Sequence, residues 1–235
     1  MEGIQFKLQR LIDIQSRRGR RRVASDLWHG HVLVAIDASD VVLGTSQALI
    51  DDFGGPKMAD GSIPAAHGKL IVAWDVRRKV VLGWHLAPFR SNERALLVEV
   101  LRPLPPGLVV LLDRGYPSDE ILTLLDERRL QVIVRMPGGK AAWTQYRHLL
   151  HSGAGIRETM MVRQNRTFRV VFKPRSRGRP CSGRTPQTII LLTDLIDPAI
   201  TAGSLLAAFE RRWAVETVFR ELKVSITLKN ALPHS

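Results

Sequence analysis

The chain has 235 residues, a hydrophobic fraction of 45% and a formal net charge of +13 at pH 7. That length supports one large domain, or one domain carrying a big insertion, around a substantial core, and the composition excludes wholesale disorder. No run of about 18 uncharged apolar residues occurs, so a membrane span is excluded. The N-terminal stretch has no apolar core followed by a small-residue cleavage site, and Cys181 is the only cysteine, so a reducing cytoplasm is expected.

Taken in chain order, "HVLVAID" (31–37) is a short apolar run ending on a carboxylate, which predicts a buried strand. "KLIVAWDV" and "KVVLGWHLA" flank Arg77-Arg78 and predict a hairpin with Asp75 at its turn. "SNERALLVEVLRPL" predicts a helix with Ser91 as N-cap, broken by Pro103 and the Pro105-Pro106 pair. "GLVVLLD" (107–113) is a second buried strand ending on an acid. "PSDEILTLLDERR" is a helix with Pro117 and Ser118 at its start and Asp119 and Glu120 where the helix dipole favours them. "QVIVRMP" (131–137) is a further strand. "ETMMVRQ", "TFRVVFK" and "QTIILLTDL" follow as strands, interrupted by the breaker-rich basic tract "PRSRGRPCSGRTP", and a last helix is predicted from about Ala202 to Lys223.

The charge is unevenly placed. Residues 135–188 hold twelve basic residues against Glu158 alone, and residues 1–30 hold seven basic against three acidic. Residues 31–134 hold eleven against thirteen, and residues 189–235 hold five of each. A polyanion such as nucleic acid is the natural partner of a field concentrated in this way. Cys181 lies within the basic tract with no visible base partner and is read as incidental.

Strand, hairpin, helix, strand, helix, strand makes an α/β architecture with a mixed sheet, in which sites form beyond the carboxyl ends of strands. Asp37 and Asp113 each sit where an apolar run stops. If the two strands are neighbours, both carboxylates emerge on one rim, and two anions in one place need a cation between them. In "FERRWAVETVFRELK" (209–223), Val215, Val218, Phe219 and Leu222 form an apolar stripe. At about 100° per residue, Arg212, Lys223, Glu216 and Phe209 fall in one sector, roughly 60° to 120° from that stripe. Spacing alone leaves open an exposed Arg212–Glu216 pair with Lys223 unrelated.

Phe209-x2-Arg212-x3-Glu216-x6-Lys223 resembles the Y-x2-R-x3-E-x6-K signature of bacterial insertion-sequence transposases of the insertion-sequence-four family, with Phe in place of Tyr. "LLDRGYPS" (111–118) resembles that family's block around the second catalytic Asp, "VAIDAS" (34–39) its first block, and "LLTDLIDP" (191–198) the stretch before its final helix. The resemblance implies a ribonuclease H-like core with a β-rich insertion before the last catalytic helix. It implies a D-D-E triad of Asp37, Asp113 and Glu216 holding two Mg2+ ions (Mn2+ can substitute) for DNA cleavage and strand transfer. Hard oxygen donors suit Mg2+, and two such ions about 4 Å apart stabilise the entering and leaving oxygens of a phosphodiester. Arg212 and Lys223 are then expected on DNA phosphates. Phe209 keeps the ring of the signature Tyr but lacks its hydroxyl. Arg114 is expected near a phosphate or paired with Asp113. Trp143 lies in the insertion, where a tryptophan stacks on a flipped base in some relatives, but an ordinary core role is its default reading, as packing is for Trp213.

The expected organisation is a basic arm (1–30), the first part of the core (31–137), the basic insertion (138–190) and the closing part with the signature helix (191–235). Relatives carry more sequence before the first Asp and after the Lys, so a chain truncated at both ends, even a transposase remnant, is expected. DNA, meaning element ends and target, is the expected partner, with a homodimeric synaptic complex and a nucleoid-associated location. Two alternatives stay open: a non-catalytic DNA-binding fragment, and a structure-specific nuclease on the same core.

Overall fold

The computed structural model describes residues 9–10, 12–13, 27–137, 149, 155–174 and 188–231, with side chains as far as Lys223. Most of the basic arm, Trp143, Cys181 and the tract after Pro174 lie outside the described residues. Eight strands form one mixed sheet in the order β3-β2-β1-β4-β5-β8-β7-β6. Strands β1 (Val32–Gly44), β2 (Ala66–Asp75) and β3 (Val80–Pro88) are antiparallel neighbours. Between β1 and β2 lies the short helix α1 (Gln47–Phe53). The β2–β3 turn is fixed as expected by Asp75, whose carboxylate accepts from the amides of Arg77 and Arg78 at 3.1 and 2.9 Å.

The first strand does not stop at Asp37. It continues to Gly44, because β2 offers a hydrogen-bonding partner along the more polar stretch: Asp37 pairs with Val72, Ser39 with Leu70 and Asp40 with Lys69. The Lys69 ammonium lies 3.3 Å from the Asp40 carboxylate, so the acidic side chain is matched where it leaves the strand. Asp37 is therefore a mid-strand residue.

Helix α2 (Glu93–Leu101) starts one residue later than expected. Asn92, not Ser91, is the N-cap, accepting from the Arg94 amide at 2.9 Å. It leads into β4 (Leu108–Leu112), buried throughout and parallel to β1. Helix α3 (Asp119–Glu127) is capped by Ser118, as its sequence requires, and leads into β5 (Gln131–Arg135), parallel to β4. Strands β6 (Arg157–Arg163), β7 (Arg166–Lys173) and β8 (Ile189–Thr193) are antiparallel to their neighbours. They extend the central sheet instead of forming a sheet of their own.

The sheet is covered on both faces. On one, α2 and α3 bury Leu97, Leu101, Ile121 and Leu125 against Val34, Val110 and Val132. The other face is covered by two helices that the sequence predicted as one. Helix α4 (Ala202–Glu210) packs Leu205, Ala208 and Phe209 on Leu33, Leu111, Ile133 and Leu191. Helix α5 (Ala214–Ala231) sets its stripe of Val215, Val218, Phe219 and Leu222 on Ala35, Val41 and Val72. Each of those side chains contributes about 1.5–3 kcal/mol of burial. Between the helices, Arg211–Trp213 form one turn of 3-10 helix. One continuous α-helix cannot lie on two separate patches of a twisted sheet, and the tighter turn redirects the chain between them.

Candidate active site

The geometry follows from strand register. The numerical offset that pairs Val32 with Leu108 and Ala35 with Leu111 also relates Asp37 to Asp113, just past the last paired residues of β4. The offset that pairs Val109 with Gln131 relates Asp113 to Arg135. Side chains alternate between faces. Asp37 shares a face with Leu33 and Ala35, Asp113 with Val109 and Leu111, and Arg135 with Ile133, all on the side covered by α4 and α5. One row across three strands thus reads Asp, Asp, Arg on the face where the 3-10 turn crosses.

Arg212, on that turn, fills the space above the row. Its guanidinium Nη1 donates to Asp37 Oδ2 at 2.8 Å, and Nη2 donates to Asp113 Oδ2 at 3.4 Å. The residue is 3% exposed, and its guanidinium carbon lies 5.7 Å from the ring centre of Phe209 and 5.1 Å from that of Trp213. The cation that two neighbouring carboxylates require is therefore, in this structure, an arginine. The bridge is incompletely satisfied: Arg212 Nε and Asp113 Oδ1 are buried without hydrogen-bond partners, although the Arg135 Nη1 lies 3.9 Å from that oxygen. Burial raises the pKa of Asp37 above its ordinary value, opposed by the charge of Arg212 and the hydrogen bond from the Ala38 amide.

The predicted residues divide. Asp37 and Asp113 are brought together, and Arg212 joins them instead of pairing with Glu216 on the surface. Phe209 is buried in the core under α4, its ring beside Arg212. Glu216 and Lys223 are exposed on α5. Among the described residues, no three His, Cys, Asp or Glu side chains gather as a metal cluster, so Glu216 does not stand with the two aspartates. The reason is local: Arg212 takes the position between the carboxylates, and Glu216 projects to solvent from the next turn. Arg114 is exposed, and Asp113 is paired by Arg212 and Arg135 instead. Trp213 is 56% exposed, against the packing role read from sequence.

Arg135 was missed. Its signal was present, since it ends the run "QVIVR" in the same phase in which Asp113 ends "GLVVLLD". A cleft of about 720 Å³ opens beside the row, lined by Arg135, Lys173, Phe209, Glu210, Arg212 and Trp213 among others. The two arginines that hold the carboxylates, Arg135 and Arg212, line it together with Lys173, Phe209 and Trp213. Lys173 is paired there with Glu210 at 3.2 Å.

Residues 28–229 match the family described as transposase DDE domain. The chain belongs to that family. A putative transposase of Escherichia coli (strain K12), InsZ, is 25% identical over 114 residues, which are 47% of this chain and 38% of that protein. The fold resembles that of piggyBac transposase, solved by cryo-electron microscopy as a synaptic complex with hairpin DNA. The TM-score is 0.54 at 13% identity, covering 81% of this chain and 40% of that one. This DDE-domain chain thus spans about two fifths of the length of these relatives. None of its described helices is long and apolar enough to cross a membrane.

Proposed function

We propose that the chain is the catalytic part of a DNA transposase of the insertion-sequence-four type, cutting a DNA strand with water and then joining the freed 3′-OH to target DNA. The observation that carries this reading is the register of β1 and β4, which sets Asp37 beside Asp113, paired by two arginines that line a cleft, in a chain of the transposase DDE family. The donor set suits a hard divalent cation: two facing carboxylates, with Asp113 Oδ1 buried and without a hydrogen-bond partner. Asp37 and Asp113 would hold such ions, two Mg2+ in this reading, and Glu216, which stands apart from them and exposed on α5, would complete the set only by moving in toward them. When bound, they supply charge stabilisation to the entering and leaving oxygens.

The chain's own residues do the remaining work. Arg212 and Lys223 bind phosphates next to the cut end, the first as a planar fork and the second as a point charge. Arg114, exposed beside Asp113, serves the same strand. Phe209 positions Arg212 through its ring, in place of a hydroxyl contact. In this reading residues 31–137 and 191–235 form the ribonuclease H-like core, the basic segment 138–190 and arm 1–30 face DNA, and a homodimer assembles on paired ends at the nucleoid.

The test is a nicking assay on DNA carrying the element's ends with Mg2+ or Mn2+. Asp113→Asn is expected to abolish nicking and spare DNA binding, measured by electrophoretic shift without divalent metal. Nicking that persists in Asp113→Asn refutes the assignment.

A further inference from the structure

The two carboxylate oxygens that face each other across β1 and β4, Asp37 Oδ2 and Asp113 Oδ2, are the same two that Arg212 holds. A divalent cation held through those two oxygens would take the place of the guanidinium, which cannot stay within hydrogen-bonding distance of both while the ion is there. We propose that Arg212 is a displaceable internal counter-cation: a DNA phosphate draws it off the aspartates and a divalent ion replaces it, so that DNA and metal load cooperatively. The inference rests on the transposase reading above and adds to it the order in which the site is assembled.

Three features of the site favour exchange over a permanent bridge. Arg212 leaves its own Nε and Asp113 Oδ1 without hydrogen-bond partners, so the bridge is weaker than a fully satisfied one. The second of its two contacts is long, at 3.4 Å. The residue sits on a 3-10 turn between two independently packed helices, at the wall of the cleft. Leaving the aspartates would turn its side chain toward that cleft. In the cleft a phosphate offers the guanidinium a bidentate partner as good as the one it gives up. Binding free energies that share one movable group are reciprocal, so whatever factor DNA adds to metal affinity, metal adds to DNA affinity.

The experiment is calorimetric titration of the full chain with Mn2+, with and without a short double-stranded DNA oligonucleotide. Wild type, Arg212→Gln, Arg212→Lys and Asp113→Asn are compared, each checked for folding by circular dichroism. Arg212→Gln is expected to bind Mn2+ at least about tenfold more tightly than wild type without DNA. DNA is expected to tighten Mn2+ binding to wild type by about five- to 150-fold, the usual span of such coupling. That coupling should shrink at least about fivefold in Arg212→Gln and less in Arg212→Lys.

Equal or weaker Mn2+ binding by Arg212→Gln, or undiminished coupling, overturns the proposal. Should Arg212→Gln fail to fold, Arg212→Lys and wild type decide, and an absence of coupling in wild type overturns it. If Asp113→Asn loses Mn2+ binding while Arg212 variants change nothing, only this inference falls. If Mn2+ binding survives Asp113→Asn, or never occurs, the transposase chemistry falls with it.

Discussion

Two buried arginines lie against the same face of the sheet, and they are built differently. Arg169, on β7, gives Nε and Nη2 to Glu158 Oε2 at 3.0 and 2.6 Å, and Nη1 to the Ile200 carbonyl at 2.5 Å. Every nitrogen has a partner, and the contacts tie β6 and β7 to the segment that opens α4. Arg212, at the centre of the sheet, is buried as deeply but leaves Nε unpartnered and holds a carboxylate pair in which one oxygen is unpartnered too. Buried polar groups are normally satisfied, and an exception asks for a reason. At β7 the guanidinium is a structural clamp. At the carboxylate row it marks a site whose groups have other partners to meet.

Substituting the two arginines sharpens this contrast. Arg169→Met removes three hydrogen bonds made by a charged group and is expected to cost about 1.5–3 kcal/mol in urea unfolding. Glu158, half-exposed, can rehydrate, whereas the Ile200 carbonyl is left buried without this donor, so the loss should fall at the upper end of that range. Arg212→Gln leaves two aspartates facing each other, but their side chains are 25% and 30% exposed and can take up water. Its cost is expected to be smaller, about 1 kcal/mol. Mn2+ should then separate the variants. At about a hundred times its dissociation constant a ligand stabilises by about 2.7 kcal/mol. Arg212→Gln should recover stability on adding Mn2+, whereas the deficit of Arg169→Met relative to wild type should remain. A parallel response of both variants breaks the contrast between clamp and site.

Much of the fold was legible because short apolar runs bounded by breakers are strong signals. β4, β5, the β2–β3 hairpin and the Ser118 cap follow directly from residue pattern. The end of β1 was not legible, since Ala38–Asp40 reads as a stop until β2 is known to pair with it. The break at Arg211–Trp213 was hidden for a similar reason. Nothing in "FERRWAVE" disfavours a continuous helix, and only the need to cover two patches of one sheet splits it. At the site, the spacing of Asp37 and Asp113 from their strand starts was readable, and it fixed their neighbourhood. That Arg212 turns inward to both, with Glu216 left outside, depends on the 3-10 turn. A wheel drawn through residues 209–223 as one helix could not have placed it. Arg135 was overlooked because a lone charge at a strand end is ordinary; its meaning lies in register with Asp113, which requires the neighbouring strand.

A third ionic cluster lies at the other end of β5 and gives the subtlest test. Asp194, just past β8, accepts from the Val132 amide at 2.9 Å and from Arg166 Nη2 at 3.0 Å. Burial raises its pKa above the ordinary value, against the lowering effect of that amide and of Arg166. The unfolded chain then releases this proton at lower pH than the folded one. The stabilising contribution of Asp194 is present below the unfolded value and is lost as pH rises through the raised folded value. A carboxamide does not titrate, so the stability deficit of Asp194→Asn should be largest in acid and shrink as pH rises through that window, followed by urea midpoints at several pH values. A deficit that widens with pH would mean the ion pair with Arg166 outweighs burial. That reversal would leave Asp37 as the acid for which desolvation prevails, and would set the carboxylate row further apart from the ionic clusters that only hold the sheet together.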